Sequence, residues 1–230
     1  MSEQPQALTI RVGEATVSAL LDAPRDPRAV YVVAHGAGAG MRHEFLQAVA
    51  DGLARRRIAT LRYQFPYMER GSKRPDAPKV AHAAVRAAVE EVARRLPGVP
   101  VFAGGKSFGG RMTSQAQAAA PLPGVRGLIF LGFPLHAPGK AGDERGRHLA
   151  DVRVPLLFLQ GTRDEFASLG LLQPLVAQLG ATLRLFEHAD HSFHVPARSG
   201  RTDAQVMEEM LDVVSGWIEA NGVGEKRSRG

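Results

Sequence analysis

Ser107, Asp164 and His191 are the residues of this chain whose types and order could do nucleophilic chemistry together. A serine hydroxyl is inert near neutrality until a base takes its proton, and the base needs an acid to hold it in one tautomer. Ser107 lies in Val101-Phe-Ala-Gly-Gly-Lys-Ser-Phe-Gly-Gly-Arg111, where Gly105-Lys106-Ser107-Phe108-Gly109 fits G-x-S-x-G. A short apolar run precedes it and a helix-capable stretch, Arg111 to Ala120, follows. That layout is a strand-to-helix elbow, which strains the serine's backbone and leaves no room for a Cβ at the flanking glycines. The hydroxyl then stands above the sheet, with the N–H groups of the next helix aimed at whatever it attacks.

The partners follow in sequence. The apolar strand Pro155–Leu159 runs into Gln160-Gly-Thr-Arg-Asp164-Glu165, and Thr182–Phe186 runs into Glu187-His188-Ala-Asp190-His191-Ser-Phe-His194. Asp164 is the orienting acid in this reading, with Glu165 as the fallback or else a charge at a helix N-terminus. Three histidines compete for the base. The Asp-His-Ser-Phe setting puts His191 at the centre of its loop and favours it; His188 lies nearer the strand, and His194 lies close to Pro196. Asp190 reads as a hydrogen-bonder that shapes the turn.

Several look-alikes fail on spacing. A phosphate loop ending in Gly105-Lys106-Ser107 would need glycine where Pro100 stands. A dinucleotide fingerprint at Gly36-Ala-Gly-Ala-Gly40 has G-x-G-x-G spacing, and Arg62 ends the next strand where an acid is required. His35 therefore reads as a residue that holds its turn. His43, His82, His136 and His148 lack metal-ligand spacing and default to surface or loop positions, so no metal or cofactor is expected. Zero cysteine excludes disulfides and thiolate chemistry and is compatible with the cytoplasm, the expected location. The net charge of +6 comes from scattered arginines without interleaved aromatics, at 6% aromatic content, so a solvated surface is expected rather than a nucleic-acid partner. No apolar run or leader pattern suggests a membrane partner.

The elements that must position these residues follow from periodicity. Leu8, Ile10, Val12 and then Val17, Ala19, Leu21 alternate around Gly13-Glu14, predicting an antiparallel hairpin. Beyond Pro24-Arg-Asp-Pro27 the pattern turns to β-then-α units: strands at 30–34, 58–62, 100–103, 127–131, 155–159 and 182–186, and helices at 43–56, 79–96 and 165–179. A last helix opens at the capping box Thr202-x-x-Gln205 and stops at Asn221-Gly222. The prediction is an α/β fold with a mostly parallel, doubly covered sheet, one domain over 1–222, and a disordered basic tail over 223–230. Irregular segments 64–79 and 132–149 each follow a strand end, the edge where open α/β sheets bind ligands.

These motifs together resemble the α/β-hydrolase superfamily over essentially the whole chain. The resemblance rests on His35-Gly-Ala-Gly-Ala-Gly, Gly-Lys-Ser107-Phe-Gly, Gly-Thr-Arg-Asp164 and Ala-Asp-His191-Ser-Phe. Phe133-Pro-Leu-His-Ala-Pro-Gly-Lys140 is similar to loops of the dienelactone-hydrolase-like subgroup that includes testis-expressed and NSL-complex subunit hydrolase-like proteins. The resemblance implies a serine nucleophile, an oxyanion hole from the Ala37 and Phe108 N–H groups, no large lid domain, and a small-molecule acyl substrate, an ester or related compound. Serine in place of the cysteine of dienelactone hydrolases argues against dienelactone itself. Lys106, Lys73, Arg74 and Lys140 near the catalytic edge would favour an anionic substrate; otherwise they are scattered surface charge, with Lys106 paired to Glu69 or Asp76. The rival reading is a non-catalytic interaction module that keeps the fold.

Overall fold

The computed structural model describes residues 4–140 and 142–222; the basic tail 223–230 lies outside the described residues. The opening hairpin forms as expected: β1 (Gln6–Val12) pairs antiparallel with β2 (Ala15–Asp22), register Val12 to Ala15. β3 (Ala29–Ala34), β4 (Ile58–Tyr63), β5 (Val101–Lys106), β6 (Val125–Leu131), β7 (Leu156–Gly161) and β8 (Thr182–Phe186) complete the eight-stranded sheet. Its order is β1-β2-β4-β3-β5-β6-β7-β8, antiparallel through β2–β4 and parallel beyond. β3, β4 and β7 are buried along their whole length; the apolar run of β3 follows from that, whereas β4 carries Thr60 and Arg62 into the interior, Arg62 paired with Asp22 at 2.9 Å.

Two helical layers cover the sheet. α1 (Glu44–Arg55) and α6 (Asp203–Gly222) pack one face around Leu53, Phe102, Phe186 and Met210. α3 (Pro78–Arg95), α4 (Phe108–Ala119) and α5 (Leu169–Gln178) cover the other around Val89, Met112, Phe130 and Leu172. The short α2 (Pro66–Glu69) follows β4. Thr202 and Gln205 cap α6 reciprocally: the Gln205 N–H donates to Thr202 Oγ1 at 3.2 Å and the Thr202 N–H to Gln205 Oε1 at 2.9 Å. The connection from β6 to β7 contains only a 3-10 turn, Arg147–Asp151, so no lid domain stands over the sheet among the described residues. No described helix is long and apolar enough to cross a membrane.

Three boundaries near the site depart from the sequence reading; one is α4, which begins at Phe108 rather than Arg111. β5 runs on through Gly104 and Gly105 to Lys106 instead of ending at Ala103, because the glycines still pair with Val33 and Ala34 of β3. The helix expected from residue 165 begins only at Leu169. Asp164 Oδ1 accepts the Phe166 N–H at 2.8 Å and His136 Nε2 accepts the Ser168 N–H at 2.9 Å, closing a turn where a helix would otherwise start. Glu165 is exposed within that turn, so it is not a helix N-terminal charge.

Candidate active site

The elbow forms at the junction of β5 and α4. Ser107 has φ 50° and ψ −115°, a strained conformation for a residue with a Cβ. Close packing holds it there. A Cβ at Gly105, itself at φ +151°, would stand 2.3 Å from the Ala34 carbonyl oxygen, and one at Gly109 would stand 2.5 Å from the same atom. Both glycines are required because β3 passes directly beneath the turn.

Three strand ends bring the expected trio together. His191 Nε2 lies 2.9 Å from Ser107 Oγ, and His191 Nδ1 lies 2.7 Å from Asp164 Oδ2. Nδ1 faces only an acceptor, so in the neutral ring it carries the hydrogen and Nε2 keeps a lone pair toward the serine. The Asp164 side chain is fully buried and the His191 ring is 20% exposed, so the carboxyl is sealed while the imidazole reaches the surface. Asp164 is completely occupied: Oδ2 also accepts from Gln160 Nε2 at 2.5 Å, and Oδ1 holds the Phe166 amide. The Phe166 ring packs on the imidazole at 4.3 Å between centroids.

Neither competing histidine bonds to Ser107, although His194 lines the rim of the cleft that opens there. His188 is exposed at φ 62°, with its carbonyl accepting from Arg163. His194 Nδ1 pairs with Asp203 at 2.8 Å on the surface, which raises its pKa. Asp190 shapes the loop: its Oδ1 accepts the Ser192 and His194 amides at 2.8 and 3.0 Å. His35 is fully buried and holds its turn, as read. Its Nε2 accepts the Phe65 N–H at 3.0 Å, so Nδ1 carries the hydrogen and donates to Gly36 O at 2.8 Å. Burial pushes its pKa down to about 4. This neutral ring ties the glycine-rich turn to the chain beyond β4. The turn reaches the elbow: a Cβ on Gly36 would lie 3.9 Å from Ser107 Cβ. The Phe108 amide opens α4, where no intrahelical acceptor exists. The Ala37 amide has no backbone acceptor among the described residues.

A cleft of about 790 Å³ opens at Ser107. Ala37, Ser107, His191 and Lys106 line its floor, and Phe45, Phe166, Phe193 and Met207 supply apolar walls. Phe45 stacks on Phe193 at 5.8 Å, fixing one wall. Of the four basic residues expected near the substrate, only Lys106 lines this cleft. Lys73, Arg74 and Lys140 are exposed on their loops, outside it. Proximity in sequence to a strand end did not translate into proximity to the serine.

Lys106 also corrects its own alternative. Glu69 accepts from Ser18, and Asp76 pairs with Arg70, so neither partners Lys106. Instead Lys106 Nζ donates to the carbonyl of His191 at 2.6 Å and lies 5.7 Å from the Phe193 ring centroid. Burial pushes this ammonium down to about 8, against the opposing pull of Asp164 and Asp190. The sequence reading missed Gln160 and Phe166. A glutamine at the end of an otherwise apolar buried strand was the available signal for the first, since a buried amide needs partners; its Oε1 also accepts the Phe133 amide at 2.9 Å. Phe166 carried no such signal.

Known proteins place this architecture. The Alpha/beta hydrolase domain family matches residues 27–219. A dienelactone hydrolase from Anabaena variabilis is similar, at TM-score 0.74 and 20% identity over 96% of this chain and 100% of that one. So is an α/β serine hydrolase without a lid from Xanthomonas campestris, at TM-score 0.73 and 21% identity over 94% and 96%. The esterase domain of a Rhodothermus marinus protein matches at TM-score 0.70 and 16% identity, over 96% and 100%. At these identities the likeness is one of fold, whereas the family match spans most of the chain: this protein belongs to the alpha/beta hydrolase domain family.

Proposed function

We propose that this protein is a serine hydrolase that cleaves a small ester or related acyl compound. The observation that carries the reading is the unbroken chain Ser107 Oγ, His191, Asp164, at 2.9 and 2.7 Å, opening on an apolar-walled cleft. In the proposed cycle Ser107 Oγ attacks the acyl carbonyl while His191 Nε2 takes its proton. Asp164 holds Nδ1–H and offsets the imidazolium charge. The Ala37 and Phe108 N–H groups receive the oxyanion, whose stabilisation is the largest single contribution in such reactions. Collapse expels the alcohol, protonated by His191. Water then attacks the acyl-serine, giving its proton to the same nitrogen, and the acid leaves with the serine restored.

The walls formed by Phe45, Phe166, Phe193 and Met207 favour an apolar portion on the substrate, and the uncovered sheet edge favours a small, freely diffusing one. The likeness of Phe133–Lys140 to loops of testis-expressed and NSL-complex subunit hydrolase-like proteins supports assigning the chain, within this proposal, to that dienelactone-hydrolase-like subgroup. A cytoplasmic location and a single-domain organisation belong to the same reading. The test pairs a fluorophosphonate probe with p-nitrophenyl esters of increasing acyl length. Labelling at one serine, with hydrolysis strongest for short chains, is the expected result. No labelling and no hydrolysis of any ester would leave the fold without this chemistry.

A further inference from the structure

Gln160 is a polar residue in the buried strand β7, one position before its end, and it is fully buried. A buried amide must find partners, and these two are specific. Its Oε1 accepts the Phe133 N–H at 2.9 Å, and its Nε2 donates to Asp164 Oδ2 at 2.5 Å. The orientation has one solution. A backbone N–H can only donate, so the amide oxygen must face Phe133 and the amide nitrogen must face Asp164.

That bond places an atom which Asp164 by itself leaves loose. The torsion that turns an aspartate carboxyl is broad, so the side chain's rotamer does not fix where Oδ2 lies. Two donors at two oxygens do fix it. The Phe166 N–H holds Oδ1 at 2.8 Å and Gln160 holds Oδ2, which sets the carboxylate plane before His191 Nδ1 meets Oδ2 at 2.7 Å.

Gln160 is itself anchored in the least deformable part of the molecule. The Phe133 ring is fully buried against Phe130 and Phe158, at 5.1 and 5.6 Å between centroids. The Gly132 N–H extends the pairing of β6 and β7 to the Leu159 carbonyl at 2.9 Å. The same segment grips the far side of the acid's turn. The His136 N–H donates to the Phe166 carbonyl at 2.9 Å, and the Ser168 N–H donates to His136 Nε2 at 2.9 Å. Phe133, His136 and Gln160 do not line the cleft at Ser107. The start of the irregular stretch after β6, expected from its place to meet ligand, grips the catalytic acid's turn instead.

We propose that Gln160 is a positioning residue for hydrolysis: it carries the rigidity of the Phe130–Phe133–Phe158 cluster to Asp164, and through Asp164 it holds His191 in line with Ser107. The role rests on the serine-hydrolase reading above, and it implies that the rate depends on a residue that never touches substrate.

The test compares wild type with Gln160→Met, which keeps the length and loses both bonds, and with Gln160→Glu, which keeps the acceptor for Phe133. Two readouts are taken: kcat and KM for a p-nitrophenyl ester, and the exchange of the His191 Nδ1 proton with water by NMR. In Gln160→Met, kcat should fall about ten- to a hundredfold with KM within about threefold, and the Nδ1 proton should exchange at least about tenfold faster. In Gln160→Glu two carboxyls face each other and are held together only while they share a proton. The charged groups beside that pair are His191 and Lys106. Its kcat relative to wild type should therefore be highest at low pH and fall as pH rises. A Gln160→Met kcat within about threefold of wild type with unchanged exchange, or a raised KM at constant kcat, overturns the proposal. If Gln160→Met fails to fold, Gln160→Glu decides, and a ratio to wild type that is flat across pH overturns it. A wild-type protein that hydrolyses no ester removes the hydrolase reading, and proton exchange alone then decides whether Gln160 holds His191.

Discussion

Among the described residues two serine–histidine pairs of nearly equal length, Ser107–His191 at 2.9 Å and Ser114–His148 at 2.7 Å, stand in different surroundings. Ser107 stands at a strained elbow with its hydroxyl facing a cleft; Ser114 lies inside α4 with its hydroxyl 3.0 Å from the helix carbonyl of Arg111. Behind His191 stands a sealed carboxylate that fixes the tautomer with Nε2 free to accept. His148 has no carboxylate hydrogen-bonded to its ring among the described residues, and burial pushes its pKa down to about 4. A short Oγ···N distance is thus no sign of an activated serine. The third group and the backbone differ: Asp164 stands behind His191 and Ser107 sits at a strained elbow, whereas Ser114 lies within a helix.

The largest effect expected from breaking this contrast is at the serine. Ser107→Ala should abolish fluorophosphonate labelling and ester hydrolysis with little change in thermal unfolding, while Ser114→Ala keeps the label, as peptide mapping by mass spectrometry will show. Label recovered from Ser114 would reverse the comparison. Next come the groups that set polarity. Asp164→Asn and His191→Ala should each lower kcat by about 10³-fold or more, as loss of an orienting acid or a base does. An Asp164→Asn enzyme within tenfold of wild type would mean that Gln160 and the Phe166 packing suffice to hold the ring.

Lys106 tests how the histidine's own backbone is held. Lys106→Met should lower kcat by about tenfold by loosening the His191 loop. Its stability effect has a definite sign. The folded pKa of about 8 lies below the ordinary lysine value of 10.5, so between these values the unfolded chain binds the extra proton. Wild type must therefore gain stability relative to Lys106→Met as pH rises from 8 to 10.5, by at most about 3 kcal/mol, and lose it again as pH falls back to 8. Denaturant titrations of both proteins across that window measure the difference, and parallel curves would show that the ammonium is hydrated. The smallest effects belong to the rejected bases: His188→Ala and His194→Ala should leave ester turnover within about threefold, as exposed positions usually do. A hundredfold loss at either would move the base.

Much of this was legible along the chain, for identifiable reasons. The order of β and α units follows from periodicity alone, and unbroken apolar runs such as Val30–Ala34 betray strands covered on both faces. The elbow was readable because a Cβ at Gly105 or Gly109 is sterically impossible there, so glycine is dictated locally. Asp164 and His191 were readable because each follows a strand end, and parallel strands bring such ends to one edge. Tertiary structure alone decided what lies between elements far apart in sequence. The 85-residue separation of Lys106 from the His191 carbonyl, the choice of Arg70 rather than Lys106 for Asp76, and the late start of α5 all depend on neighbours that sequence does not place side by side. The basic residues make the point most directly. Lys73, Arg74 and Lys140 looked equivalent to Lys106 by position, but a loop residue can turn outward. The residue before Ser107 cannot: its backbone is fixed in β5, and its ammonium is held against the His191 carbonyl by packing from the last strand's loop.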